Sequence, residues 1–193
     1  MNIVHASEGI DIKRNVDNGT EDERRAVINI LNDVRMRGDE AVIERTMQFD
    51  GVELSSVRVS EADMEAAYRH VDGDVITAIR QAAENIRDFH SRELRQSWLT
   101  TKGDGTVLGQ KMTPLDAIGL YVPGGTAPLA SSVLMGAIPA QVAGVGRIVV
   151  ATPPQPDGSV APGVLAAAYE IGVKDIYKVG GAQAIAALTY GTE

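Results

Sequence analysis

The sequence contains no cysteine, which removes disulfide frameworks, thiolate nucleophiles, Cys-ligated zinc and iron–sulfur clusters in one step. Histidine is nearly as scarce. Only His5, His70 and His90 occur, and none has a second His or a carboxylate at ligand spacing beyond its ordinary helical neighbours, so no zinc site is expected within this chain. Basic residues are outnumbered, 18 Lys and Arg against 26 Asp and Glu, and the net charge of −8 argues against nucleic acid or an anionic membrane surface as a partner. No apolar run reaches the roughly 18 residues needed to span a bilayer. The first twenty residues carry charges throughout and lack the apolar core of about 7–15 residues that marks a signal peptide, so a cytoplasmic location is expected. A length of 193 residues allows one large domain or two small ones, with a core that needs no covalent staples.

Several catalytic signatures are also missing. No Gly-Lys dipeptide exists, which excludes a P-loop, and no G-x-G-x-x-G begins at any of the glycine turns described below. Neither H-E-x-x-H nor G-x-S-x-G is present. The Ser131-Ser132 pair reads as a helix start with a capping hydroxyl rather than as a nucleophile, and His90, beside Phe89, reads as a packed or hydrogen-bonded residue rather than a base.

What is present divides in two. All 8 prolines lie between Pro114 and Pro162, while 36 charged residues fall in the first 113 positions and only 8 in the last 80. After an arm over residues 1–19, Thr20 and Glu23 have capping-box spacing and introduce a helix over 21–37 stopped by Gly38. A second helix runs from Asp39 to Phe49. Residues 52–59 read as a short strand or an extended link. Ser60 and Asp63 cap a third helix to Val71, and Asp74 opens a fourth with an apolar stripe of Val75, Ile79, Ala82, Ile86, Phe89 and Leu94. A turn at residues 102–105 leads to a strand or hairpin at 106–112.

From residue 114 the pattern becomes strand, glycine turn, helix, repeated at about the thirty-residue period of a βαβ unit. Strands are expected at Asp116–Val122, Arg147–Ala151 and Asp175–Val179. Helices are expected at Leu129–Gly144, with Pro139 inside it, at Gly163–Ile171 and at Ala182–Tyr190. The expected fold is therefore α/β: a mainly helical portion over 20–113, then a Rossmann-like, doubly wound parallel sheet over 114–193 that is incomplete. An incomplete sheet should leave the third strand or a neighbour with an open edge, and self-association is the expected consequence.

Two Gly-Gly turns follow strands, Gly124-Gly125 and Gly180-Gly181. At the carboxyl edge of a parallel sheet such turns let a ligand approach bare backbone amides, and the next helix N-terminus favours an anion; equally, a glycine pair can serve only to permit a tight turn. Tyr121, just before the first turn, either stacks on a base or ribose or simply ends its strand.

The runs GLYVPGGTAPLASSVLMGAIPAQVAGVGRIVVATPPQPDG (119–158) and IYKVGGAQAIAALTYGT (176–192) resemble the NAD-dependent histidinol dehydrogenase family. VRMRGDEAVIERTMQFDG (34–51) and AIRQAAENIRDFH (78–90) resemble it in order and spacing, and the likeness covers residues 20–193. Ala130 departs from the family, whose members commonly have Pro before the Ser pair. The resemblance implies a lobe related to aldehyde dehydrogenases, a homodimer, and oxidation of L-histidinol to L-histidine through histidinal in histidine biosynthesis. It implies NAD contacts at Tyr121 and Gln183, with Gly124, Gly125, Gly180 and Gly181 forming the cofactor turns. It also implies a zinc held by Gln, His, Asp and His, a His base and a water-activating Glu, all in motifs that lie beyond this sequence, so neither catalytic nor metal-binding residues are assigned here. On that basis the chain is an N-terminal fragment expected to be inactive alone. Two alternatives stand beside it: a non-catalytic nucleotide-binding or interaction module, and a related zinc-dependent dehydrogenase of another small polar alcohol.

Overall fold

A computed structural model describes residues 19–124 and 129–192. Residues 1–18 of the N-terminal arm, His5 among them, and Gly125 lie outside the described residues. The described chain runs α1 (Glu21–Arg37), α2 (Asp39–Asp50), α3 (Glu61–His70), α4 (Gly73–Ser91), β1 (Trp98–Thr101), β2 (Val107–Gln110), β3 (Ala117–Tyr121), α5 (Ala130–Val142), β4 (Arg147–Thr152), α6 (Pro162–Glu170), β5 (Asp175–Lys178) and α7 (Gly181–Tyr190). This is an α/β fold, as expected.

Local chemistry sets most helix boundaries. Thr20 Oγ1 accepts the Glu23 N–H at 3.2 Å while Glu23 Oε2 accepts the Thr20 N–H at 2.7 Å, so the capping box forms in full. Ser60 Oγ accepts the Asp63 N–H at 3.1 Å at the head of α3, and Asp72 Oδ1 accepts the Asp74 N–H at 2.7 Å at the head of α4. Pro162 occupies the first turn of α6, where its missing N–H has no helical partner to lose.

The strands β3, β4 and β5 form a parallel sheet in that order, with Ile118 beside Ile148 and Val150 beside Ile176. Side chains alternate across it. Val150 and Ile176 join a core with Met64 of α3, Ile79 of α4, Ala137 of α5 and Val164 of α6. Ala151 and Val179 join a second core with Val34 of α1, Val42 of α2 and Ala184 of α7. Helices thus cover both faces, which is why the strands of this segment are apolar at successive positions. On the second face a Cβ at Gly119 would sit 2.8 Å from Leu188 Cδ2, so glycine is what lets α7 lie directly on β3.

Residues 57–59 form neither a free link nor an independent strand. They add antiparallel to β5, with the Val59 N–H donating to Ile176 O at 2.9 Å and the Lys178 N–H donating to Val57 O at 2.6 Å. The open edge expected at the third strand is therefore covered, and among the described residues β3, on the opposite side, pairs only with β4. Arg58 and Arg147 both reach Asp175, each at 3.0 Å, and anchor this added segment.

Three further expectations are corrected. The apolar stripe of α4 is buried at Ile76, Ile79 and Ala83, with Ala82 and Ile86 packed against the core, whereas Val75, Phe89 and Leu94 are exposed. The strand at 106–112 has a partner the sequence reading did not identify, Trp98–Thr101, and the two form an antiparallel hairpin exposed on both faces. The serines of α5 do not cap it: Leu129 is the N-cap, no side chain bonds there, and Ser131 and Ser132 lie in the first turn.

Candidate functional site

The carboxyl ends of the three parallel strands converge on one edge. β3 ends at Tyr121 and continues to Val122, whose N–H donates to Ala151 O at 2.8 Å, so the first glycine turn starts in register with the end of β4. β4 ends at the buried Thr152 and runs into Pro153. β5 leads through Val179 to Gly180 and α7.

Pro153 is the wedge between the two turns. A Cβ on Gly124 would lie 3.1 Å from Pro153 Cδ, and one on Gly180 would lie 2.9 Å from Pro153 Cγ. Close packing on Pro153 therefore favours glycine at Gly180 most strongly and makes Gly124 tight, which decides part of the question the sequence left open. The Gly181 N–H donates to Tyr121 Oη at 3.4 Å, a long bond that brings the end of β3 to the start of α7. Tyr121 remains 39% exposed.

Gln183 is the second notable group. It is 1% exposed, and among the described residues neither Oε1 nor Nε2 has a hydrogen-bond partner. An unpartnered buried amide costs about 1–3 kcal/mol, so its presence at the head of α7 calls for a ligand or a later structural partner. Gly181, with φ of +59°, sits directly over it: a Cβ there would meet Gln183 Oε1 at 2.7 Å. Among the described residues neither α5 nor α7 has a side-chain cap; the Gly181 N–H is taken by Tyr121 and the Ser132 N–H by Leu129 O, and the other first-turn N–H groups lie at the same sheet edge.

Tyr121, Gly124, Gly180, Gly181 and Gln183 are thus gathered at one place. Pro153 belongs with them and was missed by the sequence reading; the signal for it was its position just after the central strand of the three. A cavity of about 300 Å³ lies elsewhere, between α2, α7 and the sheet, and none of these five residues lines it. His90 Nδ1 pairs with Glu93, and His70 Nδ1 lies 2.8 Å from Ala66 O; both are helix-surface contacts distant in sequence from the glycine turns. Among the described residues no group of three or more His, Cys, Asp or Glu could hold a metal ion.

The histidinol dehydrogenase family model matches residues 13–193. The chain belongs to the histidinol dehydrogenase family. It is 60% identical over 193 residues to a histidinol dehydrogenase of Geobacillus kaustophilus, which covers 100% of this chain and 46% of that protein. It is 54% identical over 190 residues to the Bacillus subtilis histidinol dehydrogenase, covering 98% of this chain and 44% of the relative. The crystal structure of histidinol dehydrogenase from Elizabethkingia anophelis superimposes with a TM-score of 0.86 at 40% identity, over 91% of this chain and 40% of that one. The chain therefore spans less than half the length of these histidinol dehydrogenases and corresponds to their N-terminal part. No helix among the described residues is long and apolar enough to cross a membrane.

Proposed function

We propose that this chain carries the NAD-binding portion of a histidinol dehydrogenase, an enzyme that oxidises L-histidinol to L-histidine through histidinal in two hydride transfers. The observation that carries the cofactor reading is Gln183, a buried amide whose polar atoms have no partner among the described residues, at the head of a helix without a side-chain cap. The residues fit a dinucleotide. Gly124 and Gly180 keep the edge shallow around Pro153, the first turns of α5 and α7 present N–H groups suited to a pyrophosphate, and Tyr121 offers a half-exposed ring for a ribose or base. Bound NAD would supply the hydride acceptor. The chain's own groups bind and orient it: Gln183 donates and accepts through its amide, and Tyr121 Oη holds the Gly181 amide in place.

The described residues do not fit the family's zinc, since they bring no set of ligands together. Substrate positioning, the general base and the zinc are assigned to the rest of the full-length protein, which works as a cytoplasmic homodimer; the family resemblance supports this part. NADH formation tests the proposal. The purified chain should form no NADH from histidinol and NAD. Supplying the remainder of the Geobacillus kaustophilus relative should restore turnover. Turnover by the chain alone would overturn the proposal, as would failure of restoration when the two pieces are shown to associate.

A further inference from the structure

We infer that the cavity of about 300 Å³ between α2, α7 and the sheet is a binding site for a small α-amino acid with an aliphatic side chain, held as its zwitterion. The volume lies at the low end for ligand pockets, about 300–1,000 Å³, which suits a molecule of that size and leaves no room for a dinucleotide. The hole follows from the sequence. Gly119 lets α7 lie hard on β3 at Leu188, whereas over β4 and β5 the facing positions are the short Ala151 on the sheet and Ala184 and Ala187 on the helix. Val42 of α2, Val57 and Val149 complete an apolar wall suited to branched aliphatic carbon.

Two charged groups border this apolar space. Asp39 opens α2, and its Oδ1 is buried with no hydrogen-bond partner among the described residues. A carboxylate at the head of a helix ordinarily accepts a first-turn N–H or faces water. Here Oδ1 does neither, and a carboxylate oxygen withdrawn from water calls for a cationic donor. The second group is Arg147. Its Nε donates to Asp175 Oδ2 at 3.0 Å, but Asp175 Oδ1 also accepts from Arg58 Nη2 at 3.0 Å, so one carboxylate serves two guanidinium groups and a positive charge is left over. Side chains alternate along β4, so Arg147, Val149 and Ala151 share the face toward α7 and form one floor. An α-amino acid matches this set group by group, with its ammonium on Asp39, its carboxylate on Arg147 and its side chain against the valines and alanines. A simple amine would leave Arg147 unused, and a simple carboxylic acid would leave Asp39 without a donor. None of Tyr121, Gly124, Gly180, Gly181 and Gln183 lines the cavity, so the inference is independent of whether NAD binds.

Titration of L-leucine into this chain, followed by NMR, tests it. The amide signals of Asp39, Ala151 and Ala187 should shift and saturate together. 3-Methylbutylamine and 4-methylpentanoate, each lacking one of the two charged groups, should bind weaker by about tenfold or more. Asp39→Asn keeps the shape of the side chain and should weaken leucine binding by about tenfold or more. Ala187→Leu provides a second reading, because it fills the cavity: the variant should melt at or above the wild-type temperature and bind no leucine. Absence of saturable leucine binding by the wild type would overturn the inference, as would wild-type affinity in Asp39→Asn, or either analogue binding as tightly as leucine. So would loss of binding when the chain is continued past Glu193 by the remainder of the Geobacillus kaustophilus relative, which would make that segment the occupant of the cavity.

Discussion

Tyr121 Oη accepts the backbone N–H of Gly181 at 3.4 Å, across 60 residues of sequence, and so joins the end of β3 to the first turn of α7. The long distance shows a weak bond, and the half-exposed ring keeps a free side. Tyr121→Phe removes only the hydroxyl. It should weaken NAD binding by about 0.5–1.5 kcal/mol, the range for one hydrogen bond, with unchanged melting. Calorimetric titration checks this, and an affinity equal to wild type would remove the hydroxyl from the site.

Pro153 and Gly180 should behave as a coupled pair. In Gly180→Ala the new methyl meets Pro153 at 2.9 Å, and overpacking of this kind destabilises by about 1–3 kcal/mol. Pro153→Ala opens the space, so the double variant should recover part of the loss in urea unfolding. Strict additivity would show that the two side chains do not compete for the same volume.

Glu170 ties α6 to α3 and α4. Its Oε1 accepts from Arg80 Nε at 2.8 Å and its Oε2 accepts from the Tyr68 hydroxyl. The Arg80 guanidinium, followed by the Tyr68 hydroxyl, holds the carboxyl below the usual glutamate range against the opposing effect of burial. A depressed folded-state value stabilises the protein at pH above the ordinary glutamate value, and that contribution is lost as pH falls through the folded one. Glu170→Gln should cost about 1 kcal/mol near neutrality, discounted because Arg80 is largely solvated. The difference from wild type should close in acid. Urea unfolding at neutral and acid pH measures both quantities, and a gap that widens on acidification would refute the assignment.

Ile176 is fully buried in the larger core, where β5 meets α3 and α6. Ile176→Ala should cost about 2–5 kcal/mol, the transfer of the lost atoms plus the cavity left behind. A loss below about 1 kcal/mol would mean that this part of the core collapses freely.

Features written within a few residues were legible in the sequence. Thr20 and Glu23 announce α1, and the alternation of apolar strands with glycine turns announces β3 to α7. What escaped depends on distant partners. Val57–Val59 carries no mark that it will pair with Ile176 and Lys178, more than a hundred residues later. Phe89 and Leu94 continue a helical stripe, yet whether a stripe is covered depends on how far α5 and α6 extend. Ser131 and Ser132 have capping chemistry, but the helix begins at Ala130, and the N-cap position falls to Leu129. At the candidate site the glycines and Tyr121 were visible as a pattern, and Gln183 through family resemblance. Pro153 was not, because its role exists only once β4 sets it between two turns that are far apart in sequence.

Calorimetric titration of NAD into this chain and into Gln183→Leu tests the central claim most directly. Leu fills nearly the same volume and removes two polar atoms that have no partner among the described residues, so the variant should melt at or above the wild-type temperature. The account predicts submillimolar binding by the wild type and a loss of about tenfold or more in the variant. Equal binding by both proteins, or no binding by the wild type, would contradict it.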